Sequence, residues 1–552
     1  MPVDTLHPEY QRMAPKWKVM RDASAGQEAI HCAKPMPGGV RGTVGTVTVS
    51  SDAPVGYIES PGTFTVTSAG GEGSRYKSFW PGEAYLPRLY NEKWDDYIAR
   101  RNRTSFFNAT WRTIAGLAGM LFRIDPVDQV SAGAEPMLED VTKDGTDLDT
   151  LALLVSIEAL TVGRVGVMVD YPQGAPDGAS QAEVEALNLR PQMALYKAEQ
   201  IINWATSWIG NKTVLSLVVL SETKTLPGDD EFTPKCEPRW RVLDLAPAAT
   251  VGGTELGLRY RVRVFRKEEY EEGGKKKVRD LVEEEFYPLM SGQPLAYIPF
   301  QFIGVDDTTA CVAEPPLMDL AYVNVSHYQT TADLEHGAHK TSLPQPWIAG
   351  INPTVDANGN PVETEFYMGG GDAWVFPSPD ASAGMLEYTG QGLQSLENRL
   401  AAKENQMAVL GARMLEDQKS GVEAAQTAGI HRSGEQATLS SQGRTISKGM
   451  QTALGWFDEW AGGTGEVEFI LNNDFLPVPM DAQKLTALVG AWQAGAISKE
   501  TLFDNFKQGE VIRDSADFED EESKIANQPP ALLTGAGPTP TATPAPAPAP
   551  AV

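Results

Sequence analysis

The chain has 552 residues, 41% hydrophobic and 22% charged, which is ordinary for a globular protein of two to four domains with a sizeable core. Its 46 basic and 73 acidic residues leave a net charge of −27, which argues against a tight grip on nucleic acid but still allows DNA to slide past an acidic wall. Three distant cysteines, Cys32, Cys236 and Cys311, form neither a zinc signature nor a disulfide framework; with no leading signal and no apolar run of about 18 residues, a reducing compartment away from membranes is expected.

Residues 7–23 read as a short amphipathic lead-in. Residues 38–75, rich in Gly, Ser, Thr and Val with alternation at Val47, Val49 and at Phe64, Val66, read as an inserted hairpin or mobile loop without chemistry of its own. Phe107, Trp111, Ile114, Ala118 and Leu121 then recur at helical spacing. Arg100, Arg101 and Arg103 precede them and read as a solvated basic patch, with contact to DNA or a neighbouring subunit as the alternative. Asp147 is placed to cap a helix apolar on nearly all sides over 148–160, Gly163 to end it, and 165–169 to form a buried strand.

Between 194 and 303 the period shifts toward two, as in Leu258, Tyr260, Val262 and Val264, and EEGGKKK marks a turn, so an antiparallel meander is predicted. Arg259, Arg261 and Arg263 interleave on its other face; beside Glu283, Glu284 and Glu285 they read as cross-strand ion pairs, with nucleic-acid contact as the alternative. Pro315 and Pro316 open a helix through Leu317, Leu320, Val323 and Tyr328, stopped by Gly337. A Gly/Pro/Asn-rich insert at 342–391 carries PTVDANGNP as a turn and short strands at 365–367 and 373–376.

Leu393, Leu396, Leu400, Met407, Leu410 and Met414 form one apolar stripe, predicting a helix with a buried face. The polar connector 416–421 follows, then a long helix over 422–460, about 57 Å at 1.5 Å per residue, apolar at Ile446, Met450, Leu454, Phe457 and Trp460, with Gly434 and Gly443 as kink sites. Residues 465–471 read as a strand, 481–492 and 499–507 as helices, 517–522 as an acidic run, and TPTATPAPAPAPAV as a disordered tail.

Motifs that carry chemistry are missing. The chain has no GxxxxGK[ST], HExxH or CxxC; His336 and His339 are spaced i, i+3 but no further pair completes a site, and GGEG and GGTELG lack the strand and helix of a dinucleotide site. The reading is a non-enzymatic protein with no catalytic residue, no metal and no cofactor.

The order of elements resembles a tailed-bacteriophage portal protein, of a portal-like family formerly of unknown function. The resemblance rests on the opening HPEYQRMAPKWKVMRDASAGQEAI, YLP at Tyr85, Leu86 and Pro87, the Y-x-x-R-x-x-R-x-x-F-x-N block from Tyr97 to Asn108, GLAGMLF before Pro126, and the helix-Gly-strand unit around Gly163, over about residues 7–510. It implies an α+β portal-type subunit assembling into a ring, of twelve subunits in the family's usual form, around a DNA channel at one capsid vertex. By position, 1–312 would be an α/β wing, with 38–75 inserted; 313–341 and 392–415 would be the stem helices and 342–391 a small α/β clip. Residues 416–421 would be the tunnel loop, 422–462 the long kinked helix, 463–526 a strand and the helical crown, and 527–552 a Pro/Ala-rich tail.

The resemblance further implies that Glu416, Asp417, Gln418, Lys419, Ser420 and Gly421 line the DNA channel. The expected partners are double-stranded DNA, terminase, the major capsid and scaffolding proteins, and head-completion or tail-adaptor proteins, with no membrane. The expected location is the virion, at its portal vertex, and the host cytoplasm during assembly. The acidic balance fits such a channel, since a negative wall repels DNA and keeps it sliding. Two other classes stay open: a scaffolding or tail-adaptor protein without a channel, and a hydrolase whose site is assembled from residues distant in sequence.

Overall fold

The computed structural model describes residues 2–34, 47–49, 62–66, 75–79, 81–171, 189–228, 232–247, 257–272, 275–290, 292–342, 345–350, 354–355, 361–362, 380–386, 391–412, 425–473, 475, 482–509, 511–512 and 516–527. The chain mixes helices and strands and divides into two units, Met1–Asn473 and Asp474–Val552.

His7 caps helix α1 (Pro8–Ala25), its Nδ1 accepting from the Glu9 amide at 3.2 Å, and Pro8 occupies the first turn, where no donor is needed. Met13, Trp17, Met20 and Ala23 repeat at helical spacing and are fully buried. After α2 (Gln27–Cys32), strands β1 (Val47–Val49), β2 (Gly62–Val66) and β3 (Arg75–Phe79) pair antiparallel. The insert therefore carries a three-stranded sheet, one strand more than a hairpin and reaching past Arg75.

Helix α3 (Trp94–Arg103) leads to α4 (Ala109–Leu121), whose cap Asn108 accepts from the Trp111 amide at 2.9 Å. Ile114, Ala118 and Leu121 are buried as expected, but Phe107 and Trp111 are exposed. Phe107 lies ahead of the helix, beside Arg112, and the buried face is completed by Thr110 and Thr113 instead. Strand β4 (Val127–Gln129) follows, then α5 (Leu148–Val162). Asp147 caps α5 by accepting from the Thr150 amide at 2.6 Å, and Gly163 ends it with φ of 80°.

Strands β5 (Arg164–Asp170) and β6 (Gln192–Lys197) belong to a small sheet; β7 (Ile201–Ile209), β8 (Lys212–Leu226), β9 (Lys235–Pro247), β10 (Leu258–Glu272) and β11 (Lys275–Phe286) form the predicted meander in sequential order. After the short β12 (Leu289–Met290) and β13 (Gln293–Pro294), β14 (Phe300–Gly304), expected as the last strand of the meander, joins the small sheet instead, giving the order β14-β5-β6. Gly166 makes that return work: a Cβ there would lie 2.2 Å from Phe300 Cζ. Trp204, Leu220, Leu243, Tyr260 and Val262 of the meander pack with Phe300 and Phe302 in one core. Within it Tyr196 donates to Glu222 at 2.6 Å and Arg241 pairs with Glu222 at 2.7 Å.

Helix α6 (Met318–Thr341) begins after Pro315 and Pro316. The insert after it pairs β15 (Gln345–Ala349) with β18 (Ser382–Leu386), and β16 (Thr354–Val355) with β17 (Pro361–Val362) around the predicted turn. The strands expected at 365–367 and 373–376 lie outside the described residues. Helices α7 (Gln391–Met407) and α8 (Ala425–Trp460) follow, then β19 (Glu468–Ile470), which pairs with β4.

The second unit holds α9 (Ala482–Gln493), α10 (Lys499–Gln508) and α11 (Phe518–Ala526). The acidic run 517–522 is thus largely helical: Asp517 caps α11, and acidic residues favour a helix N-terminus. Of the tail expected over 527–552, all but Asn527 lies outside the described residues.

Candidate functional site

Helices α6, α7 and α8 make up the segment that the sequence singles out. The first two pack antiparallel: Gly337 meets Leu393 near one end and Gly411 meets Leu320 near the other. Between them the Lys403 ammonium donates to Ser326 O at 2.7 Å, Ser326 Oγ at 2.8 Å and Thr330 Oγ1 at 2.6 Å. Three acceptors match its three donors, which is how a half-buried lysine is tolerated between helices. Burial, then the nearby Arg399 charge, lowers the Lys403 pKa. His327 sits 3.5 Å from the Glu404 carboxylate, with its pKa lowered chiefly by burial.

Gly337 does not stop α6 as expected; the helix runs on to Thr341. A Cβ at 337 would lie 2.9 Å from Leu393 Cδ2, so the glycine serves close helix contact. The apolar stripe of α7 is also less covered than expected. Met407 is buried and Leu393, Leu396 and Leu400 are half-buried, but Leu410 is 41% exposed and its neighbour Val409 55% exposed; Met414 lies outside the described residues. Beyond Met407 the helix widens into a π-helical turn, Ala408–Ala412, where a Cβ on Gly411 would lie 2.7 Å from Thr113 Cγ2 of α4. Asn324 adds a second tie to the body, accepting from Thr110 N at 3.2 Å and Thr110 Oγ1 at 2.9 Å and donating to Phe107 O at 2.7 Å.

Helix α8 is continuous through Gly434 and Gly443. Its C-terminal half is anchored by Ile446, Met450, Leu454 and Phe457, all without exposed surface. Gly443 brings it against Leu121, and Gly449 against Ile303, where added Cβ atoms would lie 2.8 Å and 2.6 Å away. Ser447 accepts from the Leu471 amide at 3.0 Å, and Tyr297 donates to Glu459 at 2.8 Å. Asp458, also fully buried, accepts from the amides of Ser131 at 2.9 Å and Gly465 at 3.0 Å, fixing the end of the helix to both flanking loops.

The connector residues Glu416, Asp417, Gln418, Lys419, Ser420 and Gly421 lie outside the described residues, which stop at Ala412 and resume at Ala425. The basic groups are placed otherwise than a solvated patch. Arg100 is 3% and Arg101 7% exposed; Arg100 pairs with Glu92 at 2.8 Å, while Arg101 donates to the carbonyls of His31 at 3.2 Å and Pro81 at 3.3 Å. Only Arg103 is exposed. Arg261 pairs with Asp244 at 2.8 Å and Glu285 at 3.0 Å, and Arg263 with Asp244 at 2.6 Å, so the ion-pair reading applies, with Asp244 of the neighbouring strand as shared partner. Arg259 donates to Leu258 O at 2.9 Å.

His336 is half-buried and His339 exposed, and among the described residues no three His, Cys, Asp or Glu side chains come together to hold a metal. Cys32, Cys236 and Cys311 are exposed free thiols. Among the described residues no helix is long and apolar enough to cross a membrane. Lys403, Asn324 and Asp458 escaped the sequence reading because their partners are distant in the chain; a polar residue on an otherwise packed helical face was the available signal.

Residues 316–461, which span α6 to α8, match a family described as a domain of unknown function (DUF4055). That match covers less than half of the chain. No curated protein matches the sequence. Among solved structures, a chain of the virion of a native gene transfer agent (GTA) particle is similar at 14% identity and a TM-score of 0.35, with 75% of this chain and 93% of that one covered. A chain from the neck of the empty GTA particle, computed with C6 symmetry, gives 13% identity, a TM-score of 0.35, and 75% and 94% coverage. The neck of the native GTA particle, computed with C12 symmetry, gives 12% identity, a TM-score of 0.31, and 71% and 88% coverage.

Proposed function

We propose that the chain is a structural subunit of a phage-like particle at its head-tail junction, and more specifically a portal subunit whose copies form a ring around a DNA channel. The observation that carries this reading is the run of α6, a small β insert, antiparallel α7, a connector and a 36-residue α8, the same segment that carries the family match. Among the described residues its α7 stripe is incompletely covered, as a helix that packs on a neighbouring copy would be. In this reading 1–312 is the wing, 313–341 and 392–415 the stem and 342–391 the clip. Residues 416–421 are the tunnel loop facing DNA, 422–462 the long helix and 463–526 the crown. Terminase during packaging, and head-completion or tail-adaptor proteins afterwards, are the partners of the clip. The role is non-enzymatic and the place of action is the virion.

Negative-stain images and mass measurement of the purified protein test it. A closed ring with a central hole is expected. A monomer, or an oligomer without a hole, would replace this reading with an adaptor or scaffolding role.

A further inference from the structure

Arg164 opens β5 directly after Gly163 and is 2% exposed. Its Cζ lies 3.9 Å from the ring centroid of Trp204 and 4.1 Å from that of Phe302, two rings set edge to face with centroids 6.5 Å apart. The guanidinium therefore occupies the angle between two aromatic walls, and His7 stacks on Trp204 at 4.0 Å. Nε, Nη1 and Nη2 are all buried and none has an acceptor among the described residues. This contrasts with Arg21, Arg100, Arg241 and Arg261, each held by a carboxylate.

Burial lowers the Arg164 pKa to about 9, with the Asp307 carboxylate opposing that shift, so the group is still a cation at neutral pH. Ring faces compensate part of the lost hydration of a cation, but they present no in-plane lone pairs to its N–H donors. A desolvated charge without acceptors is costly, and the planar fork of an arginine matches an oxyanion with two oxygens side by side.

We propose that Arg164 is the receptor of a small oxyanion, of the phosphate or carboxylate class, held between Trp204 and Phe302. The site lies where β5, β7 and β14 meet, in the small sheet that α8 packs against through Gly449 and Ile303, and its test is independent of the portal reading. The rings exclude water and fix the plane of the fork; its free edges supply the donors.

Titration calorimetry of the full chain with inorganic phosphate and, separately, with acetate tests the site at constant ionic strength. Saturable binding of one anion per chain is expected with at least one of the two. Arg164→Met should abolish it, and Arg164→Lys, which keeps the charge but not the fork, should weaken it by about tenfold or more. If Arg164→Met does not fold, as judged by circular dichroism, the lysine variant decides. No saturable heat with either anion in the wild type overturns the proposal, as does unchanged affinity in a folded variant.

Discussion

Asp458 shows at the scale of one residue how an acidic chain uses a carboxylate for structure. Burial alone would raise its pKa, but hydrogen bonds from Ser131 and Gly465 outweigh burial and hold it below the usual value. Because the folded value lies below the unfolded one, the stabilisation is complete above about pH 4 and is lost as pH falls through the folded value. Asp458→Asn is expected to cost about 1–3 kcal/mol at neutral pH. Thermal melting against pH should show the gap between wild type and variant narrowing on acidification; a gap constant down to pH 3 would contradict this account. Lys403→Met removes the donors to Ser326 and Thr330 between α6 and α7. It should cost about 1–2 kcal/mol and raise amide exchange in those two helices ahead of the meander. Unchanged exchange there would mean that the lysine does not hold the pair together.

At the scale of elements, α8 depends on small residues where it meets its neighbours. Gly449→Val should destabilise by about 1–3 kcal/mol through overpacking on Ile303. Gly490→Ala in α9, where an added Cβ meets nothing within 4 Å, should instead stabilise by about 0.5–1 kcal/mol. Denaturant melts of the two variants check the signs. Elements governed by local pattern were legible in the sequence: the Asp147 cap, the Gly163 stop and the alternation of Tyr260, Val262 and Val264 all appear as expected. Where a distant partner decides the outcome, local pattern was insufficient. Arg100 and Arg101 look like a surface patch until Glu92 and the carbonyls of His31 and Pro81 are brought to them by the fold. Gly337 looks like a helix stop until Leu393 is seen against it, and the α7 stripe looks fully buried because periodicity reveals a face but not how much of it one chain covers. Of the candidate site, the flanking helices were legible; the connector 416–421 itself lies outside the described residues.

For the whole molecule, the predictions turn on assembly. If the portal proposal holds, replacing 342–391 by a short linker should leave rings that form but do not recruit terminase, since α6 and α7 contact each other directly along their length. A folded monomer in negative stain would assign assembly to the insert instead. Lys419, the one cation between Glu416 and Gly421, would present one charge per subunit to passing DNA, a contact that is weak and screened by salt. Lys419→Glu should leave ring assembly intact and reduce the DNA retained in heads; normal packaging and infectivity would remove this residue from the DNA path.

The pairing of β4 with β19 also bears on how the chain is made. Among the described residues, Val127–Gln129 pairs only with Glu468–Ile470, and Asn472 reaches back to Met120 O at 3.0 Å. During synthesis the ribosome adds about 5–20 residues per second, so the β4 edge waits on the order of a minute or less for the strand that covers it. Fragments ending before residue 468 therefore lack both the partner of β4 and the Asn472 tie to Met120.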